Sequence, residues 1–121
     1  MITSLHRDGF LLMPAGYALF NIIDSGDGLS SDYCLIEAND AFEQAVGFPV
    51  SRFEGKALSL FIRDASFPLE LFDALRCAEN APAEKEIYIS KTGQWFKASV
   101  YSPQPKYIVS LLFATSRKKV V

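Results

Sequence analysis

A chain of 121 residues, half of them hydrophobic and 21% charged, is long enough to bury a single core without disulfides or metal, and its composition excludes a disordered or fibrous protein. Twelve Lys and Arg against 14 Asp and Glu leave a net charge of −2, which offers no electrostatic case for nucleic acid or an anionic membrane. Cys34 and Cys77 form no CxxC and have no neighbouring His, so they read as reduced, partly buried thiols of a cytoplasmic protein. Met1 to Phe20 holds one early Arg and is broken by Pro14 and Gly16, a poor signal peptide, and no run is long enough to cross a bilayer.

In chain order, Phe10, Leu11, Leu12 and Met13 form an apolar cluster that Pro14 ends. Residues 1–13 are therefore predicted as a helix or turn extension, lying over the domain or against a second copy. Gly16 to Asp24 is rich in β-formers, and Asp24-Ser25-Gly26-Asp27-Gly28 supplies turn residues, so the first two strands make a hairpin with a long loop. Residues 33–38 alternate, with Cys34, Ile36 and Ala38 on one side and Tyr33, Leu35 and Glu37 on the other. Glu37 marks its side as the wetter, which predicts that Cys34, Ile36 and Ala38 face inward.

A two-turn helix follows directly. Asn39 or Asp40 is placed to accept from its first free N–H groups, and Asp40 with Glu43 has capping-box spacing. Phe42, Ala45 and Val46 share one apolar face. Gly47 suits the left-handed position past a helix end, and Pro49 forbids continuation. Ala57 to Ile62 predicts a short apolar turn or helix. A longer helix begins near Ser66, a plausible cap, with Pro68 in its first turn. Leu69, Phe72, Leu75 and Ala78 form its stripe, and Asn80-Ala81-Pro82 stops it.

The last third is strand-like. Glu86 to Lys91 alternates, Thr92-Gly93 turns, Gln94 to Ser102 alternates again, and Tyr107 to Ala114 is nearly all apolar. Short turns between consecutive strands favour an antiparallel meander. Helices segregated between two groups of strands indicate an α+β domain. Sheet order does not follow from the pattern.

At Glu37-Ala38-Asn39-Asp40-Ala41-Phe42 and on to Gly47, the chain resembles the second strand and first helix of PAS domains, with their Asn-x-x-Phe and following glycine. Gly55-Lys56, Gln94-Trp95-Phe96 and Tyr101-Ser102-Pro103 are similar to later landmarks in PAS domains of bacterial sensor kinases and cyclases. The resemblance spans residues 14–116, leaving 117–121 as a polar tail. It implies a five-stranded antiparallel sheet of order 2-1-5-4-3 with short helices over one face of a small cavity. It also implies a sensory role in signal transduction: binding a small molecule or a partner, dimerising, and biasing an output domain or partner protein, without catalysis. One departure is Phe113-Ala114-Thr115-Ser116-Arg117, which stands where such sensors often carry an Asp-Ile-Thr segment that couples to the effector.

In that fold, Phe20, Ile36, Phe42, Val46, Phe53, Leu60, Phe72 and Val100 are expected to bound an apolar ligand pocket, with little beyond Asn21 or Ser99 to orient a ligand. If Phe96, Ala98 and Val100 face the cavity, Ser99 points away and Asn21 remains. Trp95 and Tyr101 then lie on the outer face and suit a homodimer interface. The single histidine, His6, precedes the first strand, which argues against haem. Gly55 to Ile62 lacks the cysteine of covalent flavin photochemistry. Asp24, Asp27 and Asp32 lack the alternation of a calcium loop. No metal or catalytic set is expected. The alternatives are a ligand-free dimerisation adaptor and an isomerase on a similar α+β cone, which would need Glu37 or Asp24 inside a closed pocket.

Overall fold

Five period-two segments pair into one antiparallel sheet in this computed structural model: β1 (Gly16–Asp24), β2 (Ser31–Ala38), β3 (Ala83–Ile89), β4 (Gln94–Tyr101) and β5 (Tyr107–Ala114). Their order is β2-β1-β5-β4-β3, the one the PAS resemblance implied. The structure describes residues 15–24, 31–64 and 66–115. The expectations for residues 1–13, for the turn at 25–28 and for the tail at 117–121 lie outside them. Between β2 and β3 come α1 (Asp40–Val46), a 3₁₀ turn (Val50–Arg52), α2 (Ser59–Ile62) and α3 (Leu69–Ala78). α1 packs on β1, and α3 packs across β3, β4 and β5. The core lies between these helices and one face of the sheet.

β2 departs from the alternation read in its sequence. Phe20 pairs with Leu35 but Leu19 pairs with Glu37, so Ile36 has no partner on β1. This is a β-bulge, and it reverses the side on which every following residue emerges. Tyr33 and Leu35 therefore bury against the core, whereas Ile36 is 42% exposed. Cys34 pairs with Asn21 on the outer face, and only Ala38 of the expected inward three rejoins the core side, opposite Ala18. Glu37 lies outward, as expected, opposite Leu19.

Asn39 settles the start of α1. Its Oδ1 accepts from Phe42 N–H at 2.9 Å and from Tyr17 N–H at 2.9 Å, while its Nδ2 donates to Ala15 O at 2.8 Å. One buried amide thus caps the helix and fastens it to β1. Glu43 does not close a capping box with Asp40; its Oε2 accepts from Val50 N–H at 2.8 Å and holds the next loop. Gly47 ends the helix at φ 86°, in the left-handed region, as its sequence position predicts. Gly16 is required for a different reason: a Cβ there would stand 3.0 Å from Phe42 Cα, so β1 and α1 meet backbone to backbone.

α3 has no side-chain cap. Pro68 occupies the capping position, and Ser66 instead accepts from the Arg52 guanidinium at 3.1 Å and donates its own N–H to Asp64 at 3.0 Å. The buried stripe is Leu71, Phe72, Ala74, Leu75 and Ala78, and Leu69 is exposed at the first turn. The two sheet edges are handled differently. Bridges from Glu54 to Leu35 and from Ala57 to Cys34 cover β2, and the β3 edge carries Glu84, Lys85 and Glu86, charges that discourage pairing with another strand.

The Arg52–Ser66–Asp64 cluster gives a pH dependence. Hydrogen bonds from Ser66, with Arg52 at 3.7 Å, hold the Asp64 carboxyl below its ordinary value of 3.8. A lowered carboxyl favours the folded state above 3.8 and loses that contribution as pH falls through the lowered value. Asp64 is exposed, so the effect is small. Asp64→Asn should flatten the acid limb of the stability profile, read from urea midpoints taken downward past pH 3.8.

Candidate functional site

Phe20 sits at the centre of the helix-covered face. Its ring meets Phe42 edge-on at 6.3 Å and Phe67 at 6.2 Å, and Phe53 meets Phe67 at 5.7 Å and Phe61 at 5.0 Å. Phe20, Phe42, Val46, Phe53, Phe72 and Val100, six of the eight residues expected to bound a pocket, belong to this one buried cluster. Ile36 and Leu60 do not. The bulge turns Ile36 out of the core. Leu60 is 61% exposed because α2 directs Leu58, Phe61 and Ile62, spaced i, i+3 and i+4, toward the core and Leu60 away from it. The apolar segment Ala57 to Ile62 is too short for its sequence to show which face is buried.

Polar groups around the cluster are mostly committed to protein partners. Asp32 accepts from Ser59 N–H at 3.1 Å and from the Ser59 hydroxyl, which fixes the start of α2. Tyr33 reaches from β2 to donate its phenol to Glu79, whose other oxygen accepts from Ser31 at 3.0 Å, so the end of α3 is tied to β2. Burial, with the Glu79 carboxylate second, pushes the Tyr33 phenol far above its ordinary value. Asn21 donates to Lys106 O at 3.2 Å on the outer side, and Ser99 shares the outward register of Trp95. Neither orients anything in the core. Ser110, absent from the sequence reading, is the exception: its hydroxyl is fully buried and has no hydrogen-bond partner among the described residues. In sequence Ser110 is marked only as the one polar residue in the otherwise apolar run from Tyr107 to Ala114.

The outer face carries a smaller cluster, Tyr17, Leu19 and Val109, flanked by Tyr101, Tyr107 and Leu111. Tyr17 donates to Glu37 Oε2 at 2.7 Å. Glu37 therefore lies across the sheet from the core, so the described structure does not supply the enclosed carboxylate that the isomerase alternative needs from this residue. Asp24 closes β1. Phe96, Ala98 and Val100 are buried on the core side, and Trp95, Lys97, Ser99 and Tyr101 alternate with them, the register expected. Trp95 packs on Tyr88 at 5.4 Å, and burial raises the Tyr101 phenol.

No family model and no curated protein matches the sequence. Solved structures do match. An RNA-binding light-oxygen-voltage receptor superposes with a TM-score of 0.59 at 13% identity, over 92% of this chain and 32% of that one. This chain thus spans about a third of that receptor. A domain of a sensory box sensor histidine kinase/response regulator from Geobacter sulfurreducens superposes with a TM-score of 0.53 at 13% identity, over 91% of both chains. The fold is the PAS fold. The buried polar side chains Asp32, Asn39 and Ser66 are each hydrogen-bonded within the protein. Cys34 is on the outer face and Cys77 is exposed on α3, so neither thiol faces the core. Among the described residues no His, Cys, Asp and Glu group is placed to hold a metal, and no helix is long and apolar enough to cross a membrane.

Proposed function

We propose that the chain is a cytoplasmic sensory or regulatory module of signal transduction, which binds a small apolar ligand or a partner, dimerises, and passes a conformational bias to an output domain or partner protein without catalysis of its own. The observation that carries this reading is the PAS fold, matched over nine-tenths of a sensory box domain, with an aromatic cluster enclosed under its helices. Phe20, Phe42, Val46, Phe53, Phe72 and Val100 are the side chains a ligand would meet. Native mass spectrometry of freshly purified protein tests it: a stoichiometric extra mass supports sensing, and a bare dimer supports the adaptor reading. The interlocked rings around Phe20 and Phe53, 5.0 to 6.3 Å apart, favour that second reading, because they fill the space a ligand would need.

Dimerisation is assigned to the outer face. Trp95 and Tyr101 mark the two ends of β4 there, and aromatic side chains are enriched where interfaces bury. Trp95→Ala should convert dimer to monomer with little change in fold. Sedimentation velocity reads the oligomer and circular dichroism the fold; an unaltered dimer removes this interface.

A further inference from the structure

Leu69 opens α3 with 54% of its surface exposed, although the buried stripe of the same helix begins at Leu71. A lone exposed leucine is ordinary. This one stands on the rim of a surface cleft of about 370 Å³, open between the start of β2, α2 and α3, to which Ile62 and Phe72 give an apolar lining. Two charged side chains share that rim. Arg63 is exposed just past α2, and Asp73 lies one turn along α3 from Leu69, on the same face. Neither forms a hydrogen bond or an ion pair among the described residues. The other charges of the cleft are engaged, Arg76 over the Phe72 ring at 5.2 Å and Asp32 with Ser59. The patch thus sets an apolar knob beside an apolar hollow, with one unmatched charge of each sign.

Such a patch is complementary to itself. A two-fold axis that carries one residue onto a second also carries the second onto the first, so a surface holding both members of a pair satisfies both at once. We infer that this helical face is an isologous contact between copies of this chain, in which Leu69 of each copy enters the cleft of the other and Arg63 of each pairs with Asp73 of the other. An unrelated partner would have to supply a knob and both charges in matching positions, whereas a second copy brings all three by symmetry. The contact lies in the helical layer, on the other side of the sheet from Trp95 and Tyr101. The two faces therefore do not compete, and dimers formed through one are joined through the other. One leucine from each copy and two exposed ion pairs make a small contact, so it forms in concentrated solution only.

Sedimentation velocity over a concentration series reads this contact, in a Trp95→Ala background so that the outer face contributes nothing. Association that grows toward about 1 mM is expected, and Leu69→Glu should abolish it. Arg63→Asp or Asp73→Arg sets like charges against each other twice in every pair of copies and should weaken association about tenfold. The double variant Arg63→Asp/Asp73→Arg should recover it, because the swapped charges again face opposite partners. Unchanged circular dichroism is expected throughout, since none of the three side chains belongs to the core. Recovery in the double variant separates a direct pair from a general effect of net charge or of folding, which a second substitution would not reverse. Three results overturn the contact: a protein that stays monomeric across the series, association that ignores Leu69→Glu, and single reversals that the double variant does not repair.

Discussion

Asn39→Ala should lower folding stability by about 3–4 kcal/mol, seen as a fall in the urea midpoint at unchanged m-value. The size follows from how many jobs the amide performs. Loss of a helix cap alone costs about 1 kcal/mol. Here the same Oδ1 also accepts from Tyr17 N–H, and Nδ2 donates to Ala15 O, so truncation strands buried backbone groups at the entry to β1 as well as at the start of α1. Each stranded group adds about 1–3 kcal/mol, reduced where water enters. Asn39→Asp separates the parts. A carboxylate keeps both acceptor bonds and adds favourable charge at the helix start, but cannot donate to Ala15 O. It should therefore lose less than alanine. An alanine variant within about 1 kcal/mol of the parent would mean that Asn39 is an ordinary surface cap.

Much of this architecture is legible in the sequence, and the exceptions have local causes. α1 was legible because its apolar spacing, its Asn39 entry and its Gly47 exit agree with one another. β4 was legible because strict alternation fixed which side of Trp95 and Phe96 is wet. β2 misled because a single extra residue, Ile36, inverts the code halfway along the strand, and no local feature of Leu35-Ile36-Glu37 announces the bulge. α2 misled because one turn is too short for periodicity to distinguish Leu60 from Leu58. Sheet order came through the PAS resemblance, since pairing partners such as Phe20 and Ile108 are distant in sequence and patterning does not encode them. Ser110 went unread because a lone serine in an apolar strand is ordinary in sequence. Only its burial without a partner among the described residues sets it apart.

Phe42→Ala should cost about 3–5 kcal/mol, toward the upper end of that range. The cost of truncating a core ring depends on whether the surroundings can close over the space it leaves. At this position they have little freedom. α1 already touches β1 through backbone, with no room for even a Cβ at Gly16 against Phe42 Cα, so the helix has no further distance to travel toward the sheet. Asn39 and the Gly47 N–H bond to Glu43 O, at 2.9 Å, pin both ends of α1. Phe20 would lose an edge-to-face partner and keep its position, since Phe67 holds its other side. Phe42→Leu restores most of the volume and should recover the larger part of the loss. Guanidinium unfolding of the three proteins decides the matter. A Phe42→Ala loss below about 1 kcal/mol would place the ring outside the core, and with it the packing of α1 against β1 would have to be redrawn.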